Sequence, residues 1–262
     1  MSQPSSQNIR GLILDMDGVL WKDNQSIGDL KAIFKKIDRL GLSTVLATNN
    51  ATRTVEEYQE KVRGFGIELE AWQFVNSAHA TVSYLCKTYP GGGPIFIIGS
   101  EALRATLEEA GYYYSEDHVL AVVAGMDRVL TYEKLRCATL LIRSGIPFIG
   151  TNPDKTFPTP EGLTPGTGAI LAAIQAACDT EPIICGKPAP EMYRVAMERM
   201  ATLPKETLVV GDRAETDIIG AQALGCRSAL VLSGVTTLEQ AKAWQPNPDL
   251  IVADLNAVLD LL

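Results

Sequence analysis

Asp15 and Asp17, two residues apart in Asp15-Met16-Asp17-Gly18, offer the most chemistry in this chain. They follow an apolar run, residues 9–14, in which Ile9, Leu12, Ile13 and Leu14 read as a buried parallel strand, apolar throughout rather than alternating. On an extended segment side chains two apart point to one side, so the pair can converge where the strand ends. Two carboxylates about 4 Å apart repel by roughly 4 kcal/mol at an effective dielectric of about 20, and such a pair needs a proton, a cation or a divalent metal. A plain turn explains Asp-x-Asp-Gly equally well. An EF-hand calcium loop does not, because Val19 and Leu20 stand where oxygen ligands or their flanks belong.

The rest of the chain must supply partners and the elements that carry them. Residues 43–47 read as a second strand ending at Thr48-Asn49-Asn50, residues 183–185 run into Gly186-Lys187-Pro188, and residues 208–210 end at Gly211-Asp212-Arg213. Leu30, Ile33, Phe34, Ile37 and Leu40 recur at helical spacing before Gly41, and further helices are expected near residues 55–62, 191–200, 216–224 and 256–262. Thr236 and Glu239 have the spacing of a capping box. Strand and helix patterns alternate, which implies crossover units and a mostly parallel sheet, with the ligand crevice outside the carboxyl ends of its strands. The middle repeats the alternation, with strands near 94–98, 119–124 and 147–149 and helices near 101–110 and 132–144. The Pro/Thr/Gly-rich stretch 152–168 flanks or interrupts this block. We read residues 79–185 as an inserted α/β domain and residues 1–78 and 186–262 as the core.

A net charge of -8 without a compensating Lys/Arg stripe argues against nucleic acid as the main partner. The five scattered cysteines lack any Cys-x-x-Cys spacing and read as free thiols in a reducing compartment, which makes the cytoplasm the expected location. Residues 1–8 are polar without a signal core, and no apolar stretch approaches the ~18 residues that a membrane span needs. His79 and His118 have no nucleophile or ligand spacing beside them, Trp21 reads as packing, and Tyr112-Tyr113-Tyr114 reads as structure rather than a stacking platform.

The set Asp15-Met16-Asp17-Gly18-Val19-Leu20, Thr48-Asn49, Gly186-Lys187-Pro188 and Gly211-Asp212-Arg213-x-x-Thr216-Asp217 resembles the four motifs of haloacid dehalogenase superfamily phosphatases. The insertion, with Gly150-Thr151-Asn152-Pro153-Asp154 and Gly166-Thr167-Gly168, resembles the α/β cap of subfamily IIA, the NagD-type, 4-nitrophenylphosphatase-like and phosphoglycolate phosphatase-like members. The resemblance covers essentially the whole chain and implies a Rossmann-like parallel-sheet core with a large inserted, mobile α/β cap.

It also implies roles. Asp15 is the expected nucleophile, forming an aspartyl-phosphate, and Asp17 the expected general acid and base. Magnesium is the implied cofactor, held by Asp15, Asp212 and the backbone carbonyl of Asp17, with Asp217 supporting it from behind and Gly18 allowing close backbone approach. Thr48, Asn49, Asn50 and Lys187 are expected on the phosphate, and Asn152 and Asp154, in the cap segment, are candidates for substrate selection. The implied function is hydrolysis of a small phosphorylated metabolite, and phosphoglycolate, sugar phosphates, nucleotides and pyridoxal phosphate are all compatible with it. A phosphotransferase or mutase and a non-catalytic phospho-ligand-binding regulator are the alternatives. Relatives with this cap include cap-mediated dimers, so a homodimer is compatible with the resemblance.

Overall fold

The structure is a computed structural model in which residues 9–159 and 161–262 are described. The polar stretch 1–8 lies outside the described residues. The chain forms two compact units, one holding the residues up to Thr48, Val55–Val75 and Tyr193–Leu262, the other holding Asn49–Thr54 and Asn76–Met192. The second unit therefore takes in Asn49 and Lys187 together with the insertion.

The apolar runs become the sheet of the first unit, in the order Leu250–Val252, Arg227–Val231, Thr207–Gly211, Gly11–Leu14, Ser43–Thr48 and Phe74–Asn76. Gly11–Leu14 is parallel to both neighbours, with Leu14 opposite Val210 on one side and Leu46 on the other. All residues of Gly11–Leu14 and of Thr207–Gly211 are buried, which is why these strands are apolar on both faces. On one face Leu12, Leu14, Leu46, Val210 and Val231 cluster with Leu30, Ile33, Phe34 and Ile37 of the helix Leu30–Arg39. Each such side chain contributes about 1.5–3 kcal/mol. Leu230 falls on the other face with Ala214, Ile218 and Ala241. Asp29 caps the helix by accepting from the Ala32 N–H at 3.0 Å, and Gly41, with φ of 68°, turns the chain after it.

The second unit holds a five-stranded sheet in the order Ile183–Ile184, Phe148–Gly150, Val122–Ala124, Gly93–Ile98 and Tyr112–Tyr114, with every pairing parallel. Both sheets agree with the α/β class read from the sequence. Phe96, Ile98, Val122, Phe148, Ile170 and Ile174 form its core. The segment that composition marked as an interruption contains a hairpin, Thr156–Thr159 with Gly162–Pro165, and leads into a helix, Thr167–Cys178. That helix is Ala-rich, so its buried stripe of Ile170, Leu171, Ile174 and Cys178 stands out little from its surroundings. Among the described residues no helix is long and apolar enough to cross a membrane.

Two local expectations change. The capping box sits one residue later, with Thr237 accepting from the Gln240 N–H and Gln240 reaching back to the Thr237 N–H. Thr236 cannot serve there because its hydroxyl is committed to Asp212. The helix expected over 216–224 begins as a π-turn, Ala214–Ile218, and becomes α-helical over Ile219–Ala223.

Candidate active site

Asp15 leaves the end of its strand with its N–H still on the Val210 carbonyl, at 2.9 Å, so the sheet ladder fixes its backbone. The chain then folds tightly. Leu20 N–H donates to the Met16 carbonyl at 2.9 Å and Gly18 N–H to the Trp21 carbonyl at 2.7 Å. Gly18 has φ of 84°, and a Cβ there would land on the Asp212 carboxylate. Glycine is required at this position on both counts.

Asp15, Asp212 and Asp217 each offer a carboxylate oxygen, and the three oxygens lie within 4.8 Å of one another. Asp212 and Asp217 are buried. At that separation each pair repels by roughly 3 kcal/mol at an effective dielectric of about 20, which a hard divalent cation would reverse. The all-oxygen donor set and the glycines packed around it fit such an ion. A Cβ at Gly234 would also overlap the Asp212 carboxylate, and one at Gly211 would overlap the Asp217 side chain.

The side chain of Asp17 is not in this group. Its carboxylate is exposed and accepts the Trp21 indole N–H at Oδ1, at 2.9 Å. Asp217, expected to support the metal ligands from behind, offers a carboxylate oxygen within 4.8 Å of those of Asp15 and Asp212. The π-turn brings it there. Its N–H donates to the Arg213 carbonyl at 2.9 Å, its Oδ2 accepts the Arg213 N–H at 3.2 Å, and the buried Tyr193 hydroxyl donates to the Thr216 carbonyl at 2.8 Å. Gly220 makes room for the Tyr193 ring. Short π-turns recur at functional sites because they re-aim one side chain within a helix.

The sequence gives no sign of the loop after Arg227–Val231. Val235 N–H donates to Asp212 Oδ2 at 2.8 Å, Thr236 Oγ1 to the Asp212 carbonyl at 2.5 Å, and Ser233 Oγ to the Gly18 carbonyl at 2.7 Å. These three residues, Ser233, Val235 and Thr236, tie two of the motifs together. Thr48 ends Ser43–Thr48 and is buried.

In the second unit Asn49 is the hub of a buried network. Its Nδ2 donates to the Lys187 carbonyl at 2.9 Å and to Asp154 Oδ1 at 3.4 Å. Its carbonyl accepts from Ser77 Oγ at 2.6 Å and from Asn152 Nδ2 at 2.9 Å. Asn152 is buried, and its Oδ1 accepts the Asp154 N–H at 3.1 Å. Asn50 Oδ1 accepts from the N–H and the hydroxyl of Thr52. Lys187 is buried and follows Gly186, whose position against the Thr151 carbonyl and Asn49 Oδ1 leaves no room for a Cβ. Just before it, burial pushes the Cys185 thiol up to about 12.

His79 and Tyr112 make contacts within the fold. His79 Nδ1 accepts the Asn76 N–H at the start of Ser77–Thr88, and the Tyr112 hydroxyl donates to the Tyr89 carbonyl.

A family model described as haloacid dehalogenase-like hydrolase matches residues 12–113, and one described as HAD-hydrolase-like matches residues 184–258. The acid sugar phosphatase of Staphylococcus aureus is 34% identical over 251 residues, 95% of this chain and 96% of that protein. Among solved structures, the p-nitrophenyl phosphatase from Archaeoglobus fulgidus is 31% identical with a TM-score of 0.91, covering 97% of this chain and 100% of that one. The glycerol phosphate phosphatase from Mycobacterium tuberculosis, solved in complex with calcium, is 32% identical with a TM-score of 0.87, covering 95% of this chain and 74% of that one.

Proposed function

The chain belongs to the haloacid dehalogenase-like hydrolases, subfamily IIA, and is a phosphatase, and we propose that it hydrolyses a small phosphorylated metabolite through an aspartyl-phosphate on Asp15. The observation that carries this reading is the meeting of Asp15, Asp212 and Asp217 at the carboxyl ends of parallel strands.

In this proposal an Asp15 carboxylate oxygen attacks phosphorus while the bond from phosphorus to the leaving oxygen breaks, and Asp17 gives that oxygen its proton. Asp17, now a carboxylate, then takes a proton from the water that attacks the aspartyl-phosphate. The bond from phosphorus to Asp15 breaks and inorganic phosphate is released. Thr48 and the Asn49 N–H donate to the phosphoryl oxygens, with Asn50 shaping their turn, and buried Lys187 supplies a positive charge. Magnesium held by Asp15, Asp212 and the Asp17 carbonyl, with Asp217 behind, would offset the repulsion between carboxylate and phosphate.

Asn152 and Asp154 enter through the Asn49 network, so they select substrate by shaping that loop. The names of the relatives put sugar phosphates and glycerol phosphate first among substrates to try. Cys178, Cys185 and Cys226 are buried free thiols, which suits the cytoplasm.

The test is hydrolysis of 4-nitrophenyl phosphate with magnesium, with EDTA, and by the Asp15→Asn variant. We expect loss of turnover with EDTA, recovery on adding magnesium, and a loss of about 10³-fold or more in the variant. An unchanged rate in Asp15→Asn would refute the reading.

A further inference from the structure

Trp21 has no part in the mechanism above, yet its indole is buried and its N–H donates to Oδ1 of the exposed Asp17 at 2.9 Å. Residues 17–21 form one closed turn. Gly18 N–H reaches the Trp21 carbonyl at 2.7 Å, and the N–H groups of Leu20 and Trp21 converge on the Met16 carbonyl at 2.9 and 3.3 Å. The donor and the acceptor it serves are therefore set by the same few backbone bonds.

The indole is also fixed from outside the turn. Its ring stacks on Phe65 with centroids 5.8 Å apart and planes 19° from parallel. Lys61 Nζ lies 4.3 Å from the ring centroid and donates to the Asp23 carbonyl at 3.1 Å, so the cation is itself held. A ring packed in this way cannot swing to follow a moving carboxylate.

An indole N–H is a donor only. Oδ1 must therefore act as the acceptor whether Asp17 is the carboxylate or the acid, and that assigns the two oxygens different work. We infer that Trp21 is a positioning residue for proton transfer, holding Asp17 by Oδ1 so that Oδ2 exchanges the proton with the leaving oxygen. The inference rests on the reading of Asp17 as general acid and base.

The test is the Trp21→Phe variant, which keeps an aromatic ring against Phe65 and removes the N–H. Its kcat/KM, which reports transfer to Asp15, is measured on aryl phosphates from 4-nitrophenyl to 4-methoxyphenyl. The first leaving group departs readily as the anion, whereas the second needs the proton. A misplaced acid should widen the ratio of the two kcat/KM values by about tenfold or more, with little change on 4-nitrophenyl phosphate itself. In an Asp17→Asn background the same substitution should widen the ratio no further.

Equal losses on both substrates, an unchanged ratio, or the same widening in the Asp17→Asn background would overturn the inference. If Asp17→Asn alone leaves the ratio unchanged, Asp17 is not the acid, and the underlying reading falls with this one. If Asp17→Asn widens it and Trp21→Phe does not, only this inference falls. Should Trp21→Phe fold poorly by circular dichroism, a benzothienyl isostere at position 21, with sulfur in place of the N–H, keeps the ring size and decides by the same ratio.

Discussion

Thr236 Oγ1 donates to the Asp212 backbone carbonyl at 2.5 Å, and both residues are buried. With the Val235 N–H on Asp212 Oδ2, one short loop grips the main chain and the side chain of the same aspartate. Such outer contacts set the rotamer in which a carboxylate can meet a metal.

The first prediction concerns that grip. A methyl group at Gly234 would overlap the Asp212 carboxylate, whereas Gly64 has open space around it. Gly234→Ala should weaken magnesium binding by about 10–100-fold, and Gly64→Ala should leave it unchanged. The magnesium dependence of the melting temperature measures both.

Much of this arrangement is legible in the sequence because strand ends carry the chemistry. Continuous apolar runs mark Gly11–Leu14 and Thr207–Gly211, and the polar residues that follow are conspicuous. Asp217 is harder to place. It lies inside the π-turn Ala214–Ile218, an irregularity that no apolar spacing marks, and its place is fixed by its N–H on the Arg213 carbonyl and by its Oδ2, which accepts the Arg213 N–H. Thr236 and Thr237 satisfy capping patterns equally well, and only the contact with Asp212 decides between them. Trp21 sits in an apolar run, where nothing in the sequence reveals the direction of its N–H.

Asn152 gives the second prediction. Asn152→Ala removes one of two side-chain donors from the Asn49 carbonyl while Ser77 remains. We expect kcat/KM for 4-nitrophenyl phosphate to fall by about tenfold, the equivalent of one hydrogen bond of about 1.4 kcal/mol, with the circular dichroism spectrum unchanged. Steady-state kinetics at several substrate concentrations will show it.

Tyr193 gives the third. Removing its hydroxyl withdraws a donor from the Thr216 carbonyl in a buried setting. Tyr193→Phe should cost about 1–2 kcal/mol in urea unfolding at constant slope and should also weaken magnesium binding through Asp217.

The fourth concerns alkaline pH. Burial pushes the thiols of Cys185 and Cys226 up, to about 12 and about 11. Between the ordinary thiol range and those values the unfolded chain has lost protons that the folded chain keeps, so stability falls as pH rises. It is fully present below the unfolded thiol pKa. The urea midpoint should drop between pH 8 and pH 10, and the drop should be shallower in a Cys185→Ala, Cys226→Ala double variant. At pH 8 exposed Cys86 should react with a thiol reagent before either buried thiol does.

On the proposed mechanism Asp15 carries the phosphoryl group between the two displacements. Acid quenching during turnover of 4-nitrophenyl phosphate, followed by proteolysis and mass spectrometry, tests it most directly. One added phosphate is expected on the peptide containing Asp15 and none in Asp15→Asn. Continued phosphate release with no phosphorylated peptide at any quench time, or a phosphate placed on another residue, would contradict it.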